Sequence, residues 1–119
     1  MQVTTKVSER KAAGASGAAV TILSFAGDIS SASKDAILGA YHGLSGGASK
    51  ILLDFSGVDY INSSGIAIII QMLLEAGKAG TQSIGIYGLS AHFQKVFTMV
   101  GINKYAAMYK DEAAALAAS

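Results

Sequence analysis

The chain has 119 residues, half of them hydrophobic and only 14% charged, which is enough for one domain with one hydrophobic core and excludes a disordered chain. Nine Lys and Arg against eight Asp and Glu leave a formal net charge of +1, and the charges are scattered, with Glu9-Arg10-Lys11 as the densest cluster. Nucleic acid is therefore excluded as a partner, because neutralising phosphates takes clustered basic residues. The absence of cysteine removes disulfides, thiolate nucleophiles and cysteine metal sites, and it suits a reducing compartment.

In chain order, residues 3–8 read as a weak strand, and Lys11 to Gly17 as a turn leading to a better one. That second strand, residues 19–26, places Val20, Ile22 and Ser24 on one face and Thr21, Leu23 and Phe25 on the other. Gly27-Asp28 should end it, and Ser30 or Ser31 should cap the helix that follows. Across 31–45, Ala36, Ile37, Ala40, Tyr41 and Leu44 recur at helical spacing, with Gly46-Gly47 as a stop. Residues 51–55 (ILLDF) form a continuous apolar run, as in a strand buried on both faces.

A second helix is expected from about Ser64 to Ala79, before Gly80, and a strand over 83–87. A third helix over 91–100 sets Phe93, Val96, Phe97 and Val100 on one side, with Gly101 as its end. A short strand within 104–109 and an alanine-rich helix capped by Asp111 complete the chain. Arg10-Lys11 before small residues makes a poor signal peptide, and residues 66–74 are too short to span a bilayer. No membrane insertion is expected. The order β-β-α-β-α-β-α-(β)-α implies an α/β fold with a mixed, mostly parallel sheet of four to five strands and about four helices.

Residues 54–65, DFSGVDYINSSG, link a buried strand to an apolar helix. In open α/β sheets, functional groups gather at such carboxyl ends of strands. Ser63 and Ser64 lie at the junction, where a serine ordinarily caps the helix for ~1 kcal/mol. The same place suits a phosphate, because a helix N-terminus offers unpaired N–H groups and partial positive charge.

The next helix has two apolar faces. Ile66, Ile69, Ile70, Leu73 and Gly77 make a stripe suited to the core. Ile68 and Met72, accompanied by Gln71 and Glu75, continue the line of Ser64 at i+4 and i+8. That second face is either buried or a partner-docking surface. The expected core is Ile51, Leu53, Phe55, Ile66, Ile70, Leu73, Ile84 and Ile86. His42 and His92 have no matching ligands at metal spacing. The Gly77-Lys78-Ala79-Gly80-Thr81 run lacks the spacing and context of a phosphate-binding loop. With no Ser-His-Asp arrangement or paired carboxylates, no enzyme, cofactor or metal is expected.

The run Leu53-Asp54-Phe55-Ser56-Gly57-Val58, then Tyr60-Ile61-Asn62-Ser63-Ser64-Gly65-Ile66, resembles the signature of the STAS domain of anti-sigma-factor antagonists. Phe25-Ala26-Gly27-Asp28-Ile29 and Val96-Phe97 through Gly101-Ile102 extend the likeness over nearly the whole chain, read as one STAS domain over 1–119. The resemblance implies a cytoplasmic switch protein with Asp54, Asn62, Ser64 and Gly65 around a phosphorylatable Ser63. The implied partners are an anti-sigma factor that is a serine kinase and a metal-dependent serine phosphatase. The unmodified form would bind the kinase and free its sigma factor, and the phosphorylated form would let go. Asn62 departs from the family's usual Asp and removes a negative charge beside the serine. Two other roles fit the same fold: a scaffold subunit of a stress-signalling assembly, and an accessory subunit of a membrane transporter.

Overall fold

The computed structural model describes residues 5–14, 17, 19–43, 50–78 and 83–118. Its elements are β1 (Thr5–Ala13), β2 (Ala19–Ile29), a 3₁₀ turn (Ser31–Ser33) running into α1 (Lys34–His42), β3 (Lys50–Ile61) and α2 (Ser63–Lys78). They continue with β4 (Ser83–Tyr87), α3 (Ala91–Met99), a 3₁₀ turn (Ile102–Lys104), β5 (Ala107–Met108) and α4 (Glu112–Ala117). The strands form one sheet in the order β1-β2-β3-β4-β5. β1 is antiparallel to β2, and every later pairing is parallel. Because the parallel strands advance in one direction, right-handed crossovers put α1, α2 and α3 on the same face.

That face holds the main core. Leu23 and Phe25 of β2, Ile51, Leu53 and Phe55 of β3, and Ile84 and Ile86 of β4 pack against Ile37, Ile69, Leu73, Phe93 and Phe97 of the helices. The Phe55 ring stacks on Phe25 and meets Phe97 edge-on. On the reverse face, Val20, Ile22, Leu52 and Tyr87 lie under Ala115 of α4. The alternation expected for β2 and the double burial expected for 51–55 are both observed. Ile66 and Ile70 of the expected core are half-buried against it.

Several boundaries differ from expectation. β1 runs on through Lys11 to Ala13, pairing Ala13 with Ala19, so the turn is shorter. Gly27-Asp28 does not end β2, because Gly27 pairs with Val58 and Asp28 with Tyr60. α1 ends at His42, and Gly46-Gly47 and Gly80 lie outside the described residues. Gly101 closes α3 with a φ of 87°, in the left-handed region that glycine adopts without strain.

The largest difference is in β3, which continues to Ile61 where a loop was expected after Phe55. Two bulges on β3 explain this. Phe55 and Ser56 face Phe25 alone, and Asp59 is an extra residue between the Gly27–Val58 and Asp28–Tyr60 pairs. Each bulge breaks the apolar alternation without ending the strand.

Candidate functional site

At the carboxyl ends of β2, β3 and β4, each following helical segment starts on a polar cap. Ser30 caps the 3₁₀ turn before α1 in a reciprocal capping box with Ser33. Ser90 accepts a hydrogen bond from the Phe93 amide at the start of α3. Between them, Asn62 is the single residue joining β3 to α2, and its Oδ1 accepts the Gly65 N–H at 2.8 Å. The cap of α2 is therefore Asn62, in place of the expected serine. Ser63 and Ser64 are the first two helical residues, and both are exposed.

The backbone of this junction is tied to β2. The Asn62 N–H donates to the Ile29 carbonyl at 3.0 Å, and the Ile66 N–H donates to the Asn62 carbonyl at 3.0 Å. Gly65 is buried against the same Ile29 carbonyl, so a Cβ there would sit 2.5 Å from the oxygen. Only glycine allows α2 to start this close to β2. No acidic residue stands in the first turn of α2, so its positive end is not neutralised from within the helix.

Gly65 also sets the rotation of α2. Gly65, Ile68, Ile69, Met72, Leu73 and Ala76 are all buried, at i, i+3, i+4, i+7, i+8 and i+11. Ile68 is 6% exposed and Met72 1%, which removes both from the expected docking surface. They are core residues. Glu75 also turns aside from the outward line, to His42 of α1, whose Nε2 lies 2.8 Å from its Oε1. Of the four expected docking residues, only Gln71 is fully exposed on α2. The outward face in line with the serines is Ala67, Gln71 and Leu74, with Leu74 44% exposed.

Asp54 is not part of the junction. It lies within β3, seven residues before Ile61, roughly 20 Å away along an extended strand. Its Oδ1 accepts the Ser56 N–H at 2.9 Å and the Ser56 hydroxyl at 2.6 Å, and its Oδ2 accepts the Ser24 hydroxyl at 3.2 Å. Asp54 therefore braces the first bulge, a structural role that the expected loop did not anticipate. Tyr60, which the sequence marks only as part of the motif run, is 55% exposed and meets Phe93 edge-on at 5.9 Å, joining the end of β3 to α3.

On the reverse face, Arg10 of β1, Tyr87 of β4 and Glu112 of α4 form a connected set. The Arg10 guanidinium pairs with the Glu112 carboxylate, and the Tyr87 hydroxyl donates to Glu112 at 2.9 Å. Hydrogen bonds from Arg10, then Tyr87, hold the Glu112 carboxyl below its usual range. Burial, then the bond to Glu112, pushes the Tyr87 phenol well above its own.

Among the described residues, no group of three or more His, Cys, Asp or Glu could hold a metal ion, and no helix is long and apolar enough to cross a membrane. The junction is thus an exposed serine pair at the start of α2, with its backbone tied to β2.

The family model described as "Mlab, STAS domain" matches residues 13–110, and the chain belongs to this STAS-domain family. Among solved structures, it is similar to an anti-sigma factor antagonist from Mycobacterium paratuberculosis, at 17% identity and a TM-score of 0.74, covering 92% of this chain and 88% of that one. It is also similar to the Bacillus cell fate determinant SpoIIAA in its phosphorylated form, at 15% identity and a TM-score of 0.63, covering 90% and 94%. A murine solute carrier 26 family anion transporter matches at 19% identity and a TM-score of 0.65, over 77% of this chain and 16% of the transporter. At these identities the likeness is one of fold. No curated protein matches the chain significantly.

Proposed function

We propose that this chain is an anti-sigma-factor antagonist whose binding to an anti-sigma factor, itself a serine kinase, is switched off by phosphorylation of Ser63. The observation that carries the reading is the exposure of Ser63 as the first residue of α2, on a junction fixed independently by Asn62 and Gly65. The kinase would transfer the γ-phosphoryl group of ATP to the Ser63 hydroxyl, breaking the bond to ADP and releasing the hydroxyl proton. The product carries about −1.5 to −2 charge at a helix N-terminus that favours anions, so the helix stays formed. The interface would be lost through charge and bulk, with the backbone nearly unchanged.

The docking surface on this reading is the face around Ser63 and Ser64 continued by Ala67, Gln71 and Leu74. A metal-dependent serine phosphatase would reset the switch, and the whole cycle belongs in the cytoplasm. Asn62 keeps the cap that the family's Asp would provide and lacks its charge, so the kinase must recognise the serine without that carboxylate.

The test is to incubate the protein with candidate kinases and ATP, then read intact mass and map the phosphopeptide. One phosphoryl group on Ser63 is expected. Phosphate on Ser64 alone, or elsewhere, overturns the assignment. An accessory subunit of a transporter has no need of this serine, and its partner binding would be indifferent to Ser63→Asp.

A further inference from the structure

Charge is unevenly spread along the chain. From Ala76 to Lys110 there are four Lys and no Asp or Glu, so this stretch carries +4 and the remainder of the chain −3. Beyond Lys78, which ends α2, the stretch builds one flank of the domain: β4, α3, the Ile102–Lys104 turn and β5. Lys95, Lys104 and Lys110 are exposed there, and none is in a salt bridge among the described residues. Large apolar side chains stand between them, with Met99 84%, Val100 47% and Tyr105 50% exposed. The acidic residues just beyond are engaged at the start of α4, Asp111 as its cap and Glu112 with Arg10.

Along the outer side of α3, Ala91, Gln94, Lys95, Thr98 and Met99 form a shallow groove between the side chains of one helix face, open to solvent. We propose that this groove is a docking site for an acidic amphipathic helix of a protein partner, separate from the α2 surface. The bordering residues recur at i, i+3, i+4, i+7 and i+8, two turns or about 12 Å of helix. Small Ala91 and Thr98 let a second helix approach, and the unbranched Met99 side chain adapts to its apolar face. Lys95 lies between them and calls for a carboxylate, and Lys104 adds a second cation just past the end of α3.

Three exposed lysines spread over this flank are too few and too far apart in sequence for a nucleic-acid track. A helix with carboxylates along one edge matches both the two-turn face of α3 and its charge. The proposal does not depend on the Ser63 switch.

The probe is a synthetic amphipathic peptide with Glu on one face and Leu and Phe on the other, titrated into the ¹⁵N-labelled full chain. Saturable binding is expected, with amide shifts confined to α3 and the 102–104 turn. Lys95→Glu combined with Lys104→Glu should weaken it at least tenfold with the circular dichroism spectrum unchanged, and Lys95→Gln should weaken it less. Lys6→Glu, on β1, should leave it unchanged. Failure to saturate, equal binding by a scrambled peptide of the same charge, or shifts centred elsewhere would overturn the proposal. So would lysine-dependent binding to anionic phosphatidylserine vesicles in place of the peptide.

Discussion

Gly65 stands so close to Ile29 that the hydrogen of its α-carbon occupies the only space available before the Ile29 carbonyl, where a Cβ would come within 2.5 Å of the oxygen. The contact fixes where α2 begins and how it is rotated. Gly65→Ala should therefore cost about 1–3 kcal/mol, because the obstructing atoms are backbone and cannot swing aside. Urea denaturation measures the loss, and an unchanged midpoint would show that the junction is loose.

Capping at the same junction belongs to Asn62. Asn62→Ala should cost about 1 kcal/mol. Ser63→Ala, at an exposed first helical position without a side-chain cap bond, should stay within about 0.5 kcal/mol of the parent. Paired denaturation curves check both, and the reverse ranking would return the cap to the serine.

Met72 separates the core from the proposed docking surface. Met72→Ala should destabilise by about 2–5 kcal/mol, and Met72→Asp should unfold the domain. Leu74→Asp, on the outward side, should leave the circular dichroism spectrum intact and weaken binding of the anti-sigma partner. A folded Met72→Asp protein would refute the observed rotation of α2.

The reverse face gives a pH dependence. Glu112 titrates below its usual range when folded, so the unfolded chain binds its proton more readily. Its stabilising effect is present above the unfolded carboxyl value and fades as pH falls through the folded one. Both side chains are over a third exposed, so solvent screening keeps the effect under about 1 kcal/mol. Glu112→Gln should thus be less stable than the parent at about pH 7, with the gap closing below about pH 4. Urea midpoints at the two pH values measure this, and a gap that widens in acid would contradict it.

The apolar residues of 19–25 and the apolar run 51–55 made the central strands readable, because both faces of these segments are buried. The end of β3 was hidden, since Ser56-Gly57 and Asp59 carry the composition of a turn while the strand runs on through two bulges, the first braced by Asp54. The rotation of α2 was ambiguous for another reason. Ile66, Ile68, Ile69 and Ile70 surround the helix, so hydrophobicity alone cannot choose its buried side. Gly65 was the usable signal: counted as a close-approach position, it selects Ile68, Ile69, Met72 and Ala76. Ser63 itself was placed by its motif, and the structure adds that Asn62 holds its backbone.

The most direct measurement is calorimetric titration of the proposed anti-sigma factor partner with Ser63→Ala and Ser63→Asp, with circular dichroism to confirm both folds. Ser63→Ala should bind as tightly as the unmodified protein. Ser63→Asp should bind at least tenfold more weakly, although its carboxylate suits the start of α2 and the helix remains formed. Equal affinities for the two folded variants would contradict the phosphoserine switch.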